Sequence, residues 1–124
     1  MSIATGTLYI VATPIGNLGD MTARAVEVLR GVTVIAAEDT RHSAPLLRHF
    51  GVATPCLAFH DHNERAQTAK LILRLRRGDS VALISDAGTP LLSDPGYQLV
   101  CAAHAAGVPV IPVPGASALL AALS

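Results

Sequence analysis

The sequence has few aromatic residues. They make up 3% of its 124 residues, and tryptophan is absent. Because hydrophobic residues still amount to 51% of the chain, a core has to be built mainly from alanine, valine, leucine and isoleucine. A chain of this length is typical of one domain with one hydrophobic core. The composition therefore favours a sheet covered by helices.

Neither sign of charge is in excess, since nine Lys and Arg residues balance nine Asp and Glu residues. The overall charge thus gives no indication of a polyanionic partner, and a nucleic-acid role would depend on local basic patches. We interpret the best such patch as the solvated end of a helix, where cations also suit the helix dipole. It consists of Lys70, Arg74, Arg76 and Arg77.

Cysteine is scarce, and long apolar runs are missing. Cys56 and Cys101 show neither metal-ligand spacing nor a disulfide framework, so we interpret them as reduced thiols. The N-terminus lacks the basic region of a signal peptide, and its apolar run is too short to cross a bilayer. We expect a soluble, cytoplasmic protein without a membrane partner.

Short apolar runs rich in β-branched residues alternate with longer amphipathic segments along the chain. The candidate strands are residues 8–12, 34–37, 57–59, 81–85 and 108–113. Each run is apolar nearly throughout, as expected for strands that are covered on both faces. The pattern predicts an α/β fold, with an open, mostly parallel five-stranded sheet and helices on both faces.

Cap residues mark the ends of four helical segments. C-terminal caps are predicted at Gly31, Gly51, Gly78 and Gly107. N-terminal caps are predicted at Thr22, Ser43, Asn63 and Asp94, with Pro45 and Pro95 in first turns. The Ala/Leu-rich helical pattern over 115–124 has no cap. We therefore expect residues 1–124 to form one domain of a longer protein.

Polar or glycine-rich segments follow the candidate strands, at 13–20, 38–43, 60–64, 86–90 and 114–117. In a parallel sheet these segments lie at one edge, where helix N-termini and free backbone N–H groups favour ligand binding. Asp86 is accordingly interpreted as a ligand-facing residue. The first segment reads TPIGNLGD rather than GxGxxG, and there is no GxxxxGK[ST] loop. The fingerprints of ordinary dinucleotide and nucleoside-triphosphate sites are thus missing.

The polar residues after the second and third strands allow more than one chemistry. They could supply a general base or hold a divalent metal, and Arg41 could neutralise the nearby carboxylates or bind a phosphate. The cluster consists of Glu38, Asp39, His60, Asp61, His62 and Glu64. One hypothesis is a metal-dependent phosphohydrolase that uses Asp86, Glu38, His60 and His62. Another is a non-catalytic nucleotide-binding module.

A family resemblance rests on five segments, which are LYIVATPIGNLGDMTARAVEVL, VIAAEDTRHS, FHDHNE, LISDAGTPLLSDPG and VPGASALLAAL. In this order they resemble the N-terminal half of the bacterial 16S ribosomal RNA cytidine 2'-O-ribose methyltransferases, within the tetrapyrrole methylase superfamily. The resemblance covers essentially the whole chain. It implies a two-domain homodimeric enzyme that modifies a cytidine in the decoding region of 16S ribosomal RNA, in an assembled small subunit. This chain would be its N-terminal domain.

The resemblance also implies that S-adenosylmethionine binds in the cleft between the two domains. The cofactor contacts of this chain would come from the loops after the first, fourth and fifth strands. The corresponding residues are Gly16, Leu18, Asp86, Gly88, Thr89, Leu92, Ser117 and Ala118. Thr89 replaces the aspartate of the superfamily's Gly-Asp-Pro motif, and Asp86 is the candidate to substitute for it.

Methyl transfer to a ribose hydroxyl requires the oxygen, methyl carbon and sulfur to be aligned, and a base that removes the hydroxyl proton assists it. The candidate bases are Glu38, Asp39, His60 and Glu64. No metal is expected in this reaction. Because phosphate contacts usually dominate RNA affinity, we expect basic groups on the second domain or across a dimer interface.

Overall fold

A computed structural model describes residues 3–13, 21–84 and 96–114 of the chain. The strands are β1 Leu8–Val11, β2 Val34–Ala37, β3 Cys56–Ala58, β4 Val81–Ile84 and β5 Val110–Val113. The helices are α1 Ala23–Gly31, α2 Thr40–His49, α3 Glu64–Arg76 and α4 Tyr97–Ala105. Within these ranges, none of the helices has the length and apolar character needed to span a membrane.

The five strands form one sheet in the order β3-β2-β4-β1-β5. Every pair of neighbouring strands is parallel. The predicted parallel α/β sheet is therefore confirmed. Of the strands that are consecutive in the chain, only β2 and β3 lie next to each other in the sheet. The other connections therefore cross over a neighbouring strand.

Helices cover both faces of the sheet, as predicted. On one face, Ala25, Val28 and Leu29 of α1 and Leu47 of α2 pack against the strands. On the other face, the packing comes from α3 and α4, through Leu71, Leu75, Leu99 and Ala103. All of these side chains are small or aliphatic, in line with the scarcity of aromatic residues.

Central and edge strands differ in burial. The residues of β1, β2 and β4 are all buried, whereas β3 and most of β5 are partly exposed. The expectation that every strand is covered on both faces is therefore wrong for β3 and β5, because these two strands form the edges of the sheet. Pro112 lies in β5, an edge strand, where a residue without an N–H group is tolerated.

Three of the four predicted C-terminal glycines follow their helices in a left-handed conformation. The φ angles of Gly51, Gly78 and Gly107 are 66°, 106° and 74°. Residues with a Cβ atom rarely adopt such values. Gly31 differs, because it is the last residue of α1 and Val32 forms the cap. A Cβ at Gly31 would collide with the side chain of Ile3. Close packing against Ile3, and not a left-handed turn, disfavours a side chain at this position.

The helix starts only partly follow the predicted caps. Thr22 caps α1 as predicted, since its hydroxyl accepts a hydrogen bond from the N–H of Ala25 at 3.1 Å. Ser43 is not a cap, because α2 already begins at Thr40 and Pro45 lies inside the helix. The buried Ser43 hydroxyl instead donates to the carbonyl of Asp39 at 3.2 Å.

The start of α4 also differs from the prediction. Gly96 occupies its N-cap position, so the cap assignment to Asp94 is wrong. Asp94 itself and Pro95 lie outside the described residues.

Candidate functional site

The carboxyl ends of the five strands lie at one level along one edge of the sheet. Val11 is in register with Ile84 and Val113, and Ala37 is in register with Ile84 and Ala58. These five residues are the last of their strands. All five segments that the sequence marks as polar or glycine-rich therefore leave the sheet from the same edge.

The strand order divides this edge into two parts. The segments after β4, β1 and β5 leave three adjacent strands, and those after β2 and β3 leave the remaining two. The helices that follow β1 and β4 pack on opposite faces of the sheet. Such an arrangement opens a crevice at the carboxyl ends of two neighbouring strands, where ligands of open α/β sheets bind.

The residues that the resemblance assigns to the cofactor follow β4, β1 and β5. They lie outside the described residues, and they are Gly16, Leu18, Asp86, Gly88, Thr89, Leu92, Ser117 and Ala118. The described residues on this part of the edge are uncharged. Ala12 and the buried Thr13 follow β1, and Pro114 follows β5.

Two carboxylates follow β2, and they have different surroundings. Glu38 is exposed. Asp39 caps α2, where its Oδ1 accepts a hydrogen bond from the N–H of Arg41 at 3.0 Å. This bond and the Arg41 guanidinium, 3.5 Å away, hold the pKa of Asp39 below its usual value. Arg41 thus pairs with a carboxylate, one of the two roles considered for it, while its side chain stays 92% exposed.

After β3 the chain makes a turn that is held by Asn63. The side-chain oxygen of Asn63 accepts a hydrogen bond from the N–H of His60 at 2.8 Å, and its amide group donates to the carbonyl of Ala58 at 2.9 Å. Asn63 occupies the predicted N-cap position of α3, but its side chain makes no cap bond there. It instead fixes the backbone that carries His60, a role that its cap-like position in the sequence did not reveal.

His60 has an incomplete set of hydrogen bonds. Its Nδ1 atom is buried and has no partner within the described part of the chain. The ring lies next to that of His62, with 5.8 Å between the ring centroids, so the two histidines share a side of the turn as considered from their spacing. A buried polar atom without a partner is uncommon and indicates a group that another molecule or another part of the protein satisfies.

Glu64 is the first residue of α3 and is 6% exposed. Its Oε2 atom accepts a hydrogen bond of 3.0 Å from the N–H of Gly96, the N-cap residue of α4. Its environment therefore contrasts with that of the exposed Glu38. Of the four candidate bases, Asp39 and Glu64 are bonded to backbone amides at helix starts.

The described residues provide no arrangement for a metal. Among residues 3–13, 21–84 and 96–114, no group of three or more His, Cys, Asp or Glu side chains could hold an ion. Glu38, His60 and His62 thus form no metal site with described ligands, and Asp86 lies outside these ranges. The findings do not support the phosphohydrolase hypothesis.

The basic patch of α3 is largely the solvated helix end that the sequence predicts. Arg74 and Arg77 both form ion pairs with Asp79, at 3.3 and 2.9 Å. A groove of about 520 Å³ runs between α3 and α4 on the outer surface of this helix pair, with Arg65 and Arg76 in its lining. The groove differs from the carboxyl edge in being formed by helix side chains alone.

Comparisons with known proteins agree with this architecture. Residues 7–124 match the family described as tetrapyrrole (corrin/porphyrin) methylases. Uroporphyrin-III-C-methyltransferase from Thermus thermophilus has a similar structure, with a TM-score of 0.70 and 27% sequence identity. The match covers 89% of this chain and 46% of that enzyme.

Curated relatives are more similar in sequence. The chain is 64% identical over 119 residues to the ribosomal RNA small subunit methyltransferase I of Xylella fastidiosa. It is 60% identical over 122 residues to the protein of the same name from Pseudomonas aeruginosa. These matches cover 96% and 98% of this chain, which spans only 44% and 43% of the length of the two relatives.

Proposed function

The chain belongs to the tetrapyrrole (corrin/porphyrin) methylase family, and we propose that it is the N-terminal domain of an S-adenosylmethionine-dependent ribosomal RNA methyltransferase. The substrate is the ribose 2'-hydroxyl of a cytidine in the decoding region of 16S ribosomal RNA. The observation that carries this proposal is the identity of 60–64% to two relatives named as small-subunit ribosomal RNA methyltransferases, over nearly the whole chain.

The described part of the edge fits S-adenosylmethionine as cofactor. The ends of β4, β1 and β5 lie in register next to one another, and each is followed within six residues by a glycine, which lets backbone approach a ligand closely. The described residues on this part of the edge carry no positive charge that would repel a sulfonium. We assign the cofactor to Gly16, Leu18, Asp86, Gly88, Thr89, Leu92, Ser117 and Ala118.

When bound, the cofactor supplies a methyl group on a sulfonium, which passes to the ribose oxygen while the sulfur keeps the bonding electron pair. The tasks of this chain are to orient the reactants and to accept the proton of the ribose hydroxyl. A proton acceptor works best when its pKa lies near the working pH. The lowered pKa of Asp39 makes that residue a poor acceptor.

We assign the proton acceptor to His60, with Glu38 as the second candidate. The unpartnered Nδ1 atom of His60 supports this assignment, because the group lies at the end of β3 and its hydrogen bonding is incomplete within the described residues. Histidine is also the side chain that most often serves as a general acid or base in enzymes. Asn63 bonds the backbone of His60 and so fixes the position from which the imidazole side chain extends.

The RNA is bound largely by groups beyond this chain, in the second domain or in a second copy of a homodimer. The equal numbers of acidic and basic residues support this assignment, since RNA affinity depends on an excess of cations at the interface. The small ribosomal subunit, rather than free RNA, is the proposed form of the substrate.

The proposal is tested with the complete enzyme that carries this chain, isotopically labelled S-adenosylmethionine and small ribosomal subunits without the cytidine modification. Mass spectrometry of the digested RNA should find one labelled ribose on cytidine. Free 16S ribosomal RNA and a tetrapyrrole serve as comparison substrates. Labelling of the tetrapyrrole alone would assign the chain to another branch of the family, and no labelling of any substrate would refute the proposal.

Variants separate the two candidate bases. We expect His60→Ala to lower kcat about a hundredfold, the size of effect typical of a lost general base. The matched control is His62→Ala, which removes the neighbouring, exposed imidazole. Glu38→Gln tests the second candidate. If His60→Ala keeps its activity and Glu38→Gln loses it, the two assignments must be exchanged.

A further inference from the structure

The two helices on one face of the sheet are joined at their N-termini by a single buried carboxylate. Glu64 begins α3, and its Oε2 atom accepts the N–H of Gly96, which precedes α4. The two residues are 32 positions apart in the chain. The bond thus joins two elements that have no local connection.

This bond corresponds to one half of a capping box at the start of α4. Gly96 has no side chain to bond the free amides of the helix start, and its φ angle of 127° is one that residues with a Cβ avoid. In an ordinary capping box, a glutamate of the same helix accepts the N–H of the N-cap residue. Here the glutamate comes from the neighbouring helix.

The charge of Glu64 suits this place. A carboxylate is stabilised near the positive ends of helix dipoles, and Glu64 lies at the start of α3 and within hydrogen-bonding distance of the start of α4. None of the ion pairs of the described residues involves Glu64. Within the described residues, the group shown to bond its buried carboxylate is therefore a backbone amide, that of Gly96, and not a basic side chain.

We infer that Glu64 is a positioning residue: it fixes the start of α4 and thereby the point at which segment 85–95 ends. That segment begins after Ile84, the last residue of β4, and runs to Gly96. It carries Asp86, Gly88, Thr89 and Leu92. The consequence for cofactor binding rests on the proposed function, whereas the link between the two helices does not.

This role differs from that of a general base, which the sequence also allows for Glu64. A general base acts in the chemical step, so its removal lowers kcat at saturating cofactor. A positioning residue acts on the cofactor site, so its removal raises the Kd and the KM for S-adenosylmethionine. Glu64→Gln keeps an oxygen that can accept the Gly96 amide, but it cannot act as a base.

The experiment compares Glu64→Ala and Glu64→Gln in the complete enzyme by calorimetric titration with S-adenosylmethionine and by steady-state kinetics. The matched control is Glu27→Ala, which removes an exposed glutamate of α1. We expect Glu64→Ala to raise Kd and KM about tenfold, as expected for a lost hydrogen bond to a charged group. Glu64→Gln should recover most of the affinity. A fall of kcat by a hundredfold in both variants, at unchanged Kd, would overturn the inference.

Hydrogen–deuterium exchange supplies a readout that needs no cofactor. We expect faster exchange of the amide of Gly96, which bonds Glu64, and of Val100, which bonds the Gly96 carbonyl, in Glu64→Ala than in the parent protein and in Glu27→Ala. Unchanged exchange would refute the link between the helices, even if the parent protein failed to bind S-adenosylmethionine. Failure of the parent to bind, together with faster exchange in the variant, would refute only the proposed cofactor. If Glu64→Ala does not fold, Glu64→Gln still separates the two roles, because a positioning residue predicts a Kd and a kcat close to those of the parent, whereas a general base predicts a kcat about a hundredfold lower.

Discussion

The helix pairs on the two faces of the sheet begin in different ways. On one face, α1 and α2 are capped by the residue directly before them, since Thr22 bonds the N–H of Ala25 and Asp39 bonds that of Arg41. On the other face, neither N-cap residue caps its own helix with a side chain. Asn63 turns back to the end of β3, and the start of α4 is bonded by Glu64 from α3.

All four helices begin at the carboxyl edge of the sheet, so the difference separates the two faces and not two edges. The caps of α1 and α2 bond amides of their own helices. The bonds of Asn63 instead connect the turn with the end of β3, and the bond of Glu64 connects one helix with another. On the face of α3 and α4, polar groups at helix starts are therefore used for connections outside their own helix.

The largest predicted effect shows what the two faces have in common. Leu29 and Leu71 are fully buried against opposite faces of the sheet. We expect Leu29→Ala and Leu71→Ala each to lower the free energy of unfolding by about 2–5 kcal/mol, because each loses apolar contacts and leaves a cavity. Urea unfolding monitored by circular dichroism measures this. A loss below 1 kcal/mol in one variant alone would mean that the two faces also differ in their cores.

The next-largest predicted effect is specific to the face of the sheet that carries α3 and α4. Asn63→Ala leaves the N–H of His60 and the carbonyl of Ala58 without their partner, and we expect a loss of about 1–3 kcal/mol in the free energy of unfolding. We also expect lower methyl transfer by the complete enzyme, because the backbone of His60 is no longer held. Asn63→Asp is the comparison, since it keeps the acceptor for His60. Normal activity in Asn63→Ala would show that the turn does not position His60.

The comparison also explains what the sequence could and could not predict. The parallel sheet, the glycines after α2, α3 and α4 and the cap at Thr22 follow from patterns within a few residues. The start of α2 was placed too late because Ser43 and Pro45 resemble a helix start, whereas Asp39 occupies that position. This error concerns the position of a helix start within a local sequence pattern.

The connection between α3 and α4 had no such signal in the local sequence. The bond from Glu64 to Gly96 spans 32 positions, and it depends on the strand order, which brings α3 and α4 together on one face. Hydrophobic periodicity specifies that a helix is buried but not which helix lies beside it. The role of Glu64 therefore emerges only from tertiary structure. The bonds of Asn63 are local, within five positions, but they run back to the end of β3 and not forward into the helix that its cap-like position suggests.

A smaller effect is expected at a local cap. Thr22→Ala removes the acceptor of the Ala25 amide, and we expect it to lower the free energy of unfolding by about 1 kcal/mol. Methyl transfer at a temperature well below the unfolding transition should not change. Thr22→Ser retains the hydroxyl and serves as the control. A change in activity as large as that of Asn63→Ala would remove the distinction between the two faces.

The smallest effect concerns the charge of the other local cap, and it depends on pH. Because the N–H and guanidinium of Arg41 lower the pKa of Asp39 in the folded protein, the ionised carboxylate favours folding. Its contribution is fully present above the pKa of an aspartate in the unfolded chain, about 4, and is lost as the pH falls through the lower folded value. Asp39→Asn keeps a capping oxygen but no charge, so it should be slightly less stable than the parent at pH 5–7.

At pH 3 we expect the stability difference between Asp39→Asn and the parent protein to shrink, because the parent is then losing its charge as well. Urea unfolding at pH 7, 5 and 3 measures the trend, with Asp61→Asn, an exposed carboxylate outside the described helices, as the control. High salt should reduce the difference at neutral pH, since the Arg41 side chain is in solvent. A difference that grows as the pH falls would mean that Asp39 stabilises the start of α2 in its neutral form, and that the cap acts by hydrogen bonding rather than by charge.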